Sequence, residues 1–201
     1  MKKMPVMAAL LGLLTSAAHA QDSYIAFDDA GNMQLSGPFS LTIPRPGEAR
    51  LGGPRHSSPS MLDEKLKVSK AGFFGADQFV MVQVETTSAG AGTMSNEFMP
   101  VVTLAGQDFR GRKTCIDISQ EQLNQDDDPL FEFIEGYNVQ IVPAVMAMQL
   151  LTVDASGSAL GTVLFMRNVA GGCASMTPEF EQKFMADFER FIQSVRTANA
   201  G

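Results

Sequence analysis

The residue types that most often carry out catalysis are scarce in this chain. Its 201 residues include two histidines, one in the N-terminal twenty residues and the other at position 56. Ser-His-Asp and Cys-His mechanisms require a histidine within hydrogen-bond reach of the nucleophile. His56 lies in PRPGEARLGGPRHSSPS, residues 44–60, where four prolines and three glycines predict a long flexible loop. We therefore expect His56 to be a solvated loop residue, and we expect no enzymatic activity.

Other catalytic patterns are also missing from the sequence. It contains no Gly-x-Ser-x-Gly element and no Gly-rich phosphate loop with a Gly-Lys-Ser/Thr ending. A single histidine beyond residue 20 excludes multi-histidine zinc and copper sites, so we expect no cofactor. The 22 acidic residues could supply a carboxylate pair for hydrolysis, but no spacing singles one out. A hydrolase with an unrecognised carboxylate pair is therefore the second alternative for function.

The acidic run after residue 123 has part of the spacing of a calcium-binding loop. In NQDDDPLFEFIE, Asn124, Asp126 and Asp128 occupy positions 1, 3 and 5 of an EF-hand loop, and Glu135 occupies position 12. Position 6 requires a positive φ angle, which Pro129 cannot adopt. The alternative interpretation is a helix with Asp128 as N-cap and Pro129 as its first residue, which accounts for both residues without a metal.

The same acidic segment is a candidate surface for a protein partner. No lysine or arginine occurs between Lys113 and Arg167. Without the N-terminal twenty residues the chain has 13 basic and 22 acidic residues, a net charge of −9, which argues against nucleic acid as the partner. The alternative is a solvated surface that keeps the protein soluble. The candidate surface consists of Asp126, Asp127, Asp128, Glu132 and Glu135.

Methionine sulfur is the other possible metal ligand. Ten methionines remain beyond residue 20, and soft sulfur ligands suit Cu(I). If DASGS forms a five-residue turn, Val153 faces Ala159, and Met146 then faces Met166 on the side that also carries Met148. These three thioethers would form a candidate soft-metal site. The alternative is core packing, because methionine is a common core residue and this hairpin is strongly apolar.

The first twenty residues, MKKMPVMAALLGLLTSAAHA, have the pattern of a secretory signal peptide. Two lysines precede an apolar run, and Ala-His-Ala provides a cleavage site between Ala20 and Gln21. The apolar run is too short for a membrane span, and no later stretch is long enough. We expect a periplasmic or secreted protein in which residues 21–201 form a single domain.

Export bears on the two cysteines beyond the signal peptide, Cys115 and Cys173. Disulfides persist in oxidising compartments, so we predict a disulfide between them. The bond would close a long loop and stabilise the fold by about 4 kcal/mol in the chain-entropy model. A redox or nucleophilic thiol is the alternative, but the sequence shows neither a Cys-x-x-Cys pair nor a neighbouring base.

Strands are predicted from β-rich and alternating segments. YIAF and FSLTIP flank the turn DDAGN near the start of the mature chain. QFVMVQVETT, residues 78–87, is mostly apolar on both sides, so we expect a central strand. FMPVVTLAG and KTCIDIS are further strands, with Pro100 indicating an edge or a strand start. VQIVPAVMAMQLLTV and ALGTVLFMRNV flank DASGS and predict a long hairpin.

The clearest helix is predicted at the C-terminus, with Thr177 as N-cap and Pro178 as its first residue. Its polar side is rich in acids, which favours docking on a sheet over membrane binding. Short helices are predicted over residues 59–67, 119–122 and 128–136. The apolar stripe of the C-terminal helix is formed by Phe180, Phe184, Phe188, Phe191, Ile192 and Val195.

Together these elements predict an α+β fold, a mainly antiparallel sheet with a long amphipathic C-terminal helix packed on it. Their order resembles the PsbP-like family of small α/β/α domains. Such domains open with a strand that ends in a proline turn, here FSLTIPRPG at residues 39–47, and close with a long hairpin and a helix of the type FEQKFMADFERFIQSVR. The resemblance covers most of the mature chain and implies an accessory or binding protein. It transfers no catalytic residue, since the family has no common active site.

The sequence therefore favours an exported, non-enzymatic accessory or binding protein that acts through a surface for another exported protein. The acidic segment, or the Pro/Gly-rich residues 44–60, would form that surface. A small-ligand or soft-metal carrier is the first alternative.

Overall fold

The structure is a computed structural model. Several predictions concern residues outside its described part: the signal peptide with its cleavage site after Ala20, the calcium-type loop, and most of the helices expected between residues 119 and 136. Of that last region, Glu121 and Phe133 are described, and both are helical. The described residues are 24–57, 60–61, 64–87, 99–119, 121, 133, 137 and 143–198.

Antiparallel strands dominate the described part of the chain. Every strand pairing there is antiparallel, and a single longer helix, α1, spans Pro178–Ser194. This architecture confirms the predicted α+β class. The strands are β1 Ile25–Phe27, β2 Met33–Leu35, β3 Leu41–Ile43, β4 Arg50–Ser57, β5 Ser60–Met61, β6 Glu64–Phe74, β7 Gln78–Thr87, β8 Val101–Leu104, β9 Gln107–Asp117, β10 Ala144–Val153, β11 Ala159–Asn168 and β12 Arg196–Thr197.

The described strands form two sheets. The small sheet has the order β1-β2-β3-β12, and the large sheet has the order β4-β6-β7-β11-β10-β9-β8, with β5 paired to β6. Strand β7 lies between β6 and β11, so the prediction of a central strand is confirmed. Strand β8, directly after Pro100, lies at an edge of the large sheet, as the position of this proline predicted.

Helix α1 and the small sheet both pack on one side of the large sheet, which we call the helix-side face. Thr177 caps the helix by accepting a hydrogen bond from the backbone N–H of Phe180, and Pro178 is its first residue, as predicted. The helix buries Phe184, Phe188 and Phe191, whose ring centroids lie 5.5, 5.7 and 5.3 Å from that of Phe165 on β11. No helix within the described ranges is long and apolar enough to cross a membrane.

The predicted disulfide is present and connects the large sheet to the start of α1. Cys115 on β9 is bonded to Cys173, which opens a 3-10 turn at Cys173–Ser175. Asp117 holds the same junction, since its Oδ1 accepts a hydrogen bond of 2.7 Å from the backbone N–H of Cys173. The bond therefore fixes the chain just before α1 against β9.

The prediction of a long loop over residues 44–60 is wrong for its second half, where β4 is an edge strand paired with β6. The register shifts between Gly52 and Arg55, which places Pro54 in an irregularity of the edge strand. A proline is tolerated there because no ladder hydrogen bond needs its missing N–H. The local composition of residues 50–57 therefore indicated a loop, but pairing with β6 makes these residues a strand.

The short helix predicted over residues 59–67 is also wrong. Residues Ser60–Met61 form β5, and Glu64 begins β6. Strand β6 pairs with both β4 and β7, so its backbone hydrogen bonds go to neighbouring strands. Tertiary pairing of this kind overrides a weak local helix propensity.

Candidate functional site

The side of the large sheet that faces away from α1, which we call the far face, is well buried at one end only. On β7, Phe79 and Met81 point to the far face and are 1% and 4% exposed, whereas Gln83 and Glu85 on the same side are half-buried. The valines that alternate with them on the helix-side face are all buried. The far face thus has an aromatic half and a polar half.

In the aromatic half, rings from a later part of the chain cover β6. Tyr137 stacks on Phe74 with ring centroids 4.7 Å apart, and Phe133 contacts both rings. The guanidinium carbon of Arg55 lies 5.5 and 5.7 Å from the centroids of Phe133 and Tyr137, within cation–π range. The backbone N–H of Gly53 donates a hydrogen bond of 2.8 Å to the Tyr137 hydroxyl. These contacts hold Phe133 and Tyr137 against the sheet.

The polar half consists of Glu85 and two rows of residues. Each row crosses five strands from β6 to β9, and its members pair with one another from strand to strand. A cavity of about 300 Å³ lies on these rows, at the lower end of the range for small-ligand pockets. Its apolar lining includes Leu151, Leu160 and Leu164, and its polar lining includes Gln83 and Thr162. The first row is Lys70, Gln83, Thr162, Leu151 and Arg110, and the second is Gly72, Met81, Leu164, Gln149 and Arg112.

Four arginines on the far face have no carboxylate partner among the described residues, and one of them, Arg50, donates to the backbone carbonyl oxygen of Tyr137. Arg110 donates from Nη1 to the carbonyl oxygen of Met99 at 3.2 Å, and Arg112 donates from Nη2 to Gln149 Oε1 at 3.4 Å. Arg55 faces aromatic rings instead. Their charges are therefore available to an anionic group from outside the described part of the molecule.

Among the residues of the far-face strands whose side chains are described, carboxylates are fewer than arginines. The carboxylates are Glu85, which accepts a hydrogen bond from Gln83 Nε2, and Asp108, which accepts one of 2.8 Å from Thr103 Oγ1. The described far face therefore carries an excess of positive charge, although the whole chain has a net charge of −7. This distribution could not be expected from the overall composition.

One exposed apolar side chain lies beside each half of the far face. Val101 is 51% exposed and pairs with Arg110 of the polar half. Ile116 is 45% exposed and pairs with Val145, which packs with the rings of the aromatic half. Large apolar side chains beside basic ones are a common feature of surfaces that contact proteins.

The candidate soft-metal site is not formed, because the hairpin register differs by one residue from the prediction. Val153 pairs with Leu160 rather than Ala159, so Met166 pairs with Ala147 and Met146 pairs with Arg167. A slip of one residue moves side chains to the opposite face of a strand. Met146 and Met148 consequently pack in the helix-side core, while Met166 packs on the far face.

The register shift arises in the turn itself. The backbone N–H of Asp154 donates to the carbonyl oxygen of Ala159 at 3.0 Å, so the loop has four residues rather than five. The Asp154 carboxylate fixes this loop by accepting hydrogen bonds from the backbone N–H of Ala159 at 2.8 Å and from the Ser156 hydroxyl. Burial raises the pKa of Asp154, but these hydrogen bonds outweigh it and the pKa is lowered overall.

His56 makes one contact of a kind used in catalysis, with a serine. It lies on β4, and its Nδ1 is 3.1 Å from Oγ of Ser69 on β6. Ser69 is 2% exposed, so a substrate could not reach its hydroxyl without a rearrangement of the sheet. The contact satisfies a buried hydroxyl, and His56 itself is exposed as predicted, although on a strand rather than in a loop.

The predicted acidic surface lies outside the described residues. This applies to all five of its members, and among the residues that are described no group of three or more His, Cys, Asp or Glu side chains could hold a metal ion. The members of that surface are Asp126, Asp127, Asp128, Glu132 and Glu135.

Comparison with known proteins assigns no relative. Neither a family model, nor a curated protein, nor a solved structure matches the chain.

Two sequence patterns indicate parts of the polar half. Gln83 and Glu85 alternate with valines in β7, which places both on the same side. Arg110 and Arg112 also have the two-residue spacing of one strand face, but the strand predicted there began at Lys113, whereas β9 begins at Gln107. The strand order brings the pair on β7 and the pair on β9 to one surface.

Proposed function

We propose that this protein is an exported, non-enzymatic binding protein whose protein partner docks on the polar half of the far face. The observation that carries the proposal is the half-buried, positively charged surface beside the exposed apolar side chain of Val101. Protein interfaces combine such apolar anchors with a polar rim, and arginine is enriched in them.

Two further features support export and an accessory role. The bond between Cys115 and Cys173 is compatible with an oxidising compartment, and the N-terminal sequence has the pattern of a signal peptide. We place the mature protein, beginning at Gln21, in the periplasm or outside the cell. An accessory role is also what the PsbP-like resemblance implies.

Site-specific photo-crosslinking tests this proposal in cells that produce the protein naturally. A photoreactive amino acid at Thr162, on the polar half, is compared with the same amino acid at Gln193, which is exposed on α1. We expect an adduct of defined mass from position 162 and none from position 193. No adduct from position 162, or the same adducts from both positions, would contradict the proposal.

The cavity of about 300 Å³ favours a second candidate function, a carrier of a small ligand. Native mass spectrometry of protein purified from its own cells would then show a bound small molecule. Leu164→Trp should remove this mass, because the larger side chain fills the cavity, whereas Gln193→Trp on α1 should retain it. If neither the wild-type protein nor Gln193→Trp carries additional mass, the protein is not a carrier of a small ligand.

A further inference from the structure

We propose that the partner presents an extended acidic segment that crosses the polar half from Arg110 on β9 to Arg55 on β4, with a carboxylate at each end of the segment and one apolar side chain between them. This inference rests on the proposed function, since it names the chemistry of the partner that docks there. It depends on the charge of the far face, the spacing of its arginines and the lining of its cavity.

The charge of the far face favours an anionic partner. Among the side chains that the structure describes on its strands, there are two carboxylates, Glu85 and Asp108, against four arginines. Opposite charge across an interface directs association and selects the partner. The chain as a whole has a charge of −7, so the described far face attracts an acidic segment against the net charge of the chain. The cations are Arg50, Arg55, Arg110 and Arg112.

The spacing of the arginines sets the length of the segment. Arg55 pairs with Lys70, and Arg110 occupies the far end of the register row that contains Lys70. The two arginines belong to β4 and β9, which are five strand spacings apart in the order of the sheet. At about 4.8 Å per spacing this is roughly 24 Å, the length of about seven residues of extended chain. A segment of that length could bring one carboxylate to each arginine.

The middle of this row suits an apolar side chain. The cavity lies between its two ends, and Leu151, Leu160 and Leu164 provide apolar lining for one large side chain. Gln83 and Gln149 lie beside them and can bond to the backbone of a peptide that crosses the sheet. The expected segment therefore has the pattern acidic, apolar, acidic.

A peptide fits this surface better than an acidic polysaccharide does. A polysaccharide has no large apolar side chain for the cavity that Leu151, Leu160 and Leu164 line, and the described rings of the far face stack on one another. Phe74 and Tyr137 lie face to face, with an interplanar angle of 12°. Neither polar row contains an aromatic residue.

A binding assay with synthetic peptides tests the inference on the whole mature protein. The probe is a fluorescent peptide, Asp-Glu-Gly-Leu-Gly-Glu-Asp, and its control is the amide form, Asn-Gln-Gly-Leu-Gly-Gln-Asn. Fluorescence polarisation should show binding of the acidic peptide about tenfold tighter than the control, weakening as salt is added. Arg110→Glu should reduce this affinity about fivefold or more, whereas Lys183→Glu, exposed on α1, should leave it unchanged.

Each other result overturns the inference. Equal binding of both peptides, or equal loss in Arg110→Glu and Lys183→Glu, would show no recognition of acidic residues by this face. Binding of a uronic acid oligosaccharide but not of the peptide would identify a different class of partner. A dimer in sedimentation that Arg110→Glu dissociates would identify a second copy as the occupant.

The photo-crosslink from position 162 separates this inference from the proposed function. If the crosslink forms and the acidic peptide does not bind, the partner docks on the polar half but is recognised by other chemistry. If neither is observed, both the proposed function and the inference are wrong.

Discussion

A β-carbon at Gly52 would lie 2.9 Å from Cζ of Tyr137, so the tyrosine ring occupies the space that any larger side chain at position 52 would need. The same β-carbon would also overlap the ring of Phe74. Glycine at this position on β4 therefore lets the two rings stack against the strand. In this way an edge strand formed by a Pro/Gly-rich segment holds a distant part of the chain on the sheet.

Gly52→Ala is expected to lower the free energy of unfolding by about 1–3 kcal/mol, the usual cost of an added group in a packed site. Urea unfolding followed by circular dichroism measures this change. Ser57→Ala, at an exposed position on the same strand, is the control and should change the stability little. Equal stability of Gly52→Ala and the wild-type protein would show that the rings are not held as described.

Asp187→Asn is expected to destabilise the docking of α1 on the sheet. Arg167 on β11 is paired with both Asp187 and Asp77, and the side chains of Arg167 and Asp187 are only 12% and 10% exposed. Removal of the Asp187 charge leaves a largely buried guanidinium with one exposed partner, which should cost about 2 kcal/mol. Thermal or urea unfolding measures the loss.

Asp77→Asn provides the matched control for that substitution. Asp77 contacts the same arginine, but its side chain is 60% exposed, so its loss should cost less than about 1 kcal/mol. An equal effect of the two substitutions would mean that burial does not determine the strength of these ion pairs.

Reduction of the disulfide should lower stability by about 4 kcal/mol, because Cys115 and Cys173 are 58 residues apart in sequence and their bond restricts the unfolded chain. Urea unfolding with and without reductant measures this change. The double variant Cys115→Ser, Cys173→Ser should be as unstable as the reduced protein and should not respond to reductant. A wild-type protein equally stable in both conditions would contradict this account.

Asp154→Ala should destabilise the β10–β11 hairpin by about 1 kcal/mol near neutral pH, because it removes the carboxylate that fixes the four-residue turn. Hydrogen bonds lower the pKa of Asp154 in the folded protein below the usual 3.8. Its contribution is therefore complete above pH 3.8 and is lost as the pH falls through the lowered pKa. The difference in thermal midpoint between wild-type protein and variant should accordingly close in strong acid. A difference that is independent of pH would exclude this role for the carboxylate.

The sequence alone determined the elements that depend on local pattern. The C-terminal helix follows from Thr177, Pro178 and an apolar stripe with helical spacing, and its N-cap is where the sequence predicted it. The central position of β7 follows from apolar residues on both of its sides. The pairing of the only two cysteines beyond residue 20 required no structural information, once an oxidising compartment was inferred.

Tertiary structure decided what depends on contacts between distant segments. Strand β4 exists because β6 supplies its hydrogen bonds, against the local signal of its prolines and glycines. A single hydrogen-bonded pair at Asp154 and Ala159 set the hairpin register and so separated Met166 from Met146. The strand order placed Arg110 and Gln83 in one row, although 27 positions separate them in the sequence. Side-chain periodicity is local, whereas strand order and register arise from packing of the whole chain, so the candidate site could be recognised only in the folded structure.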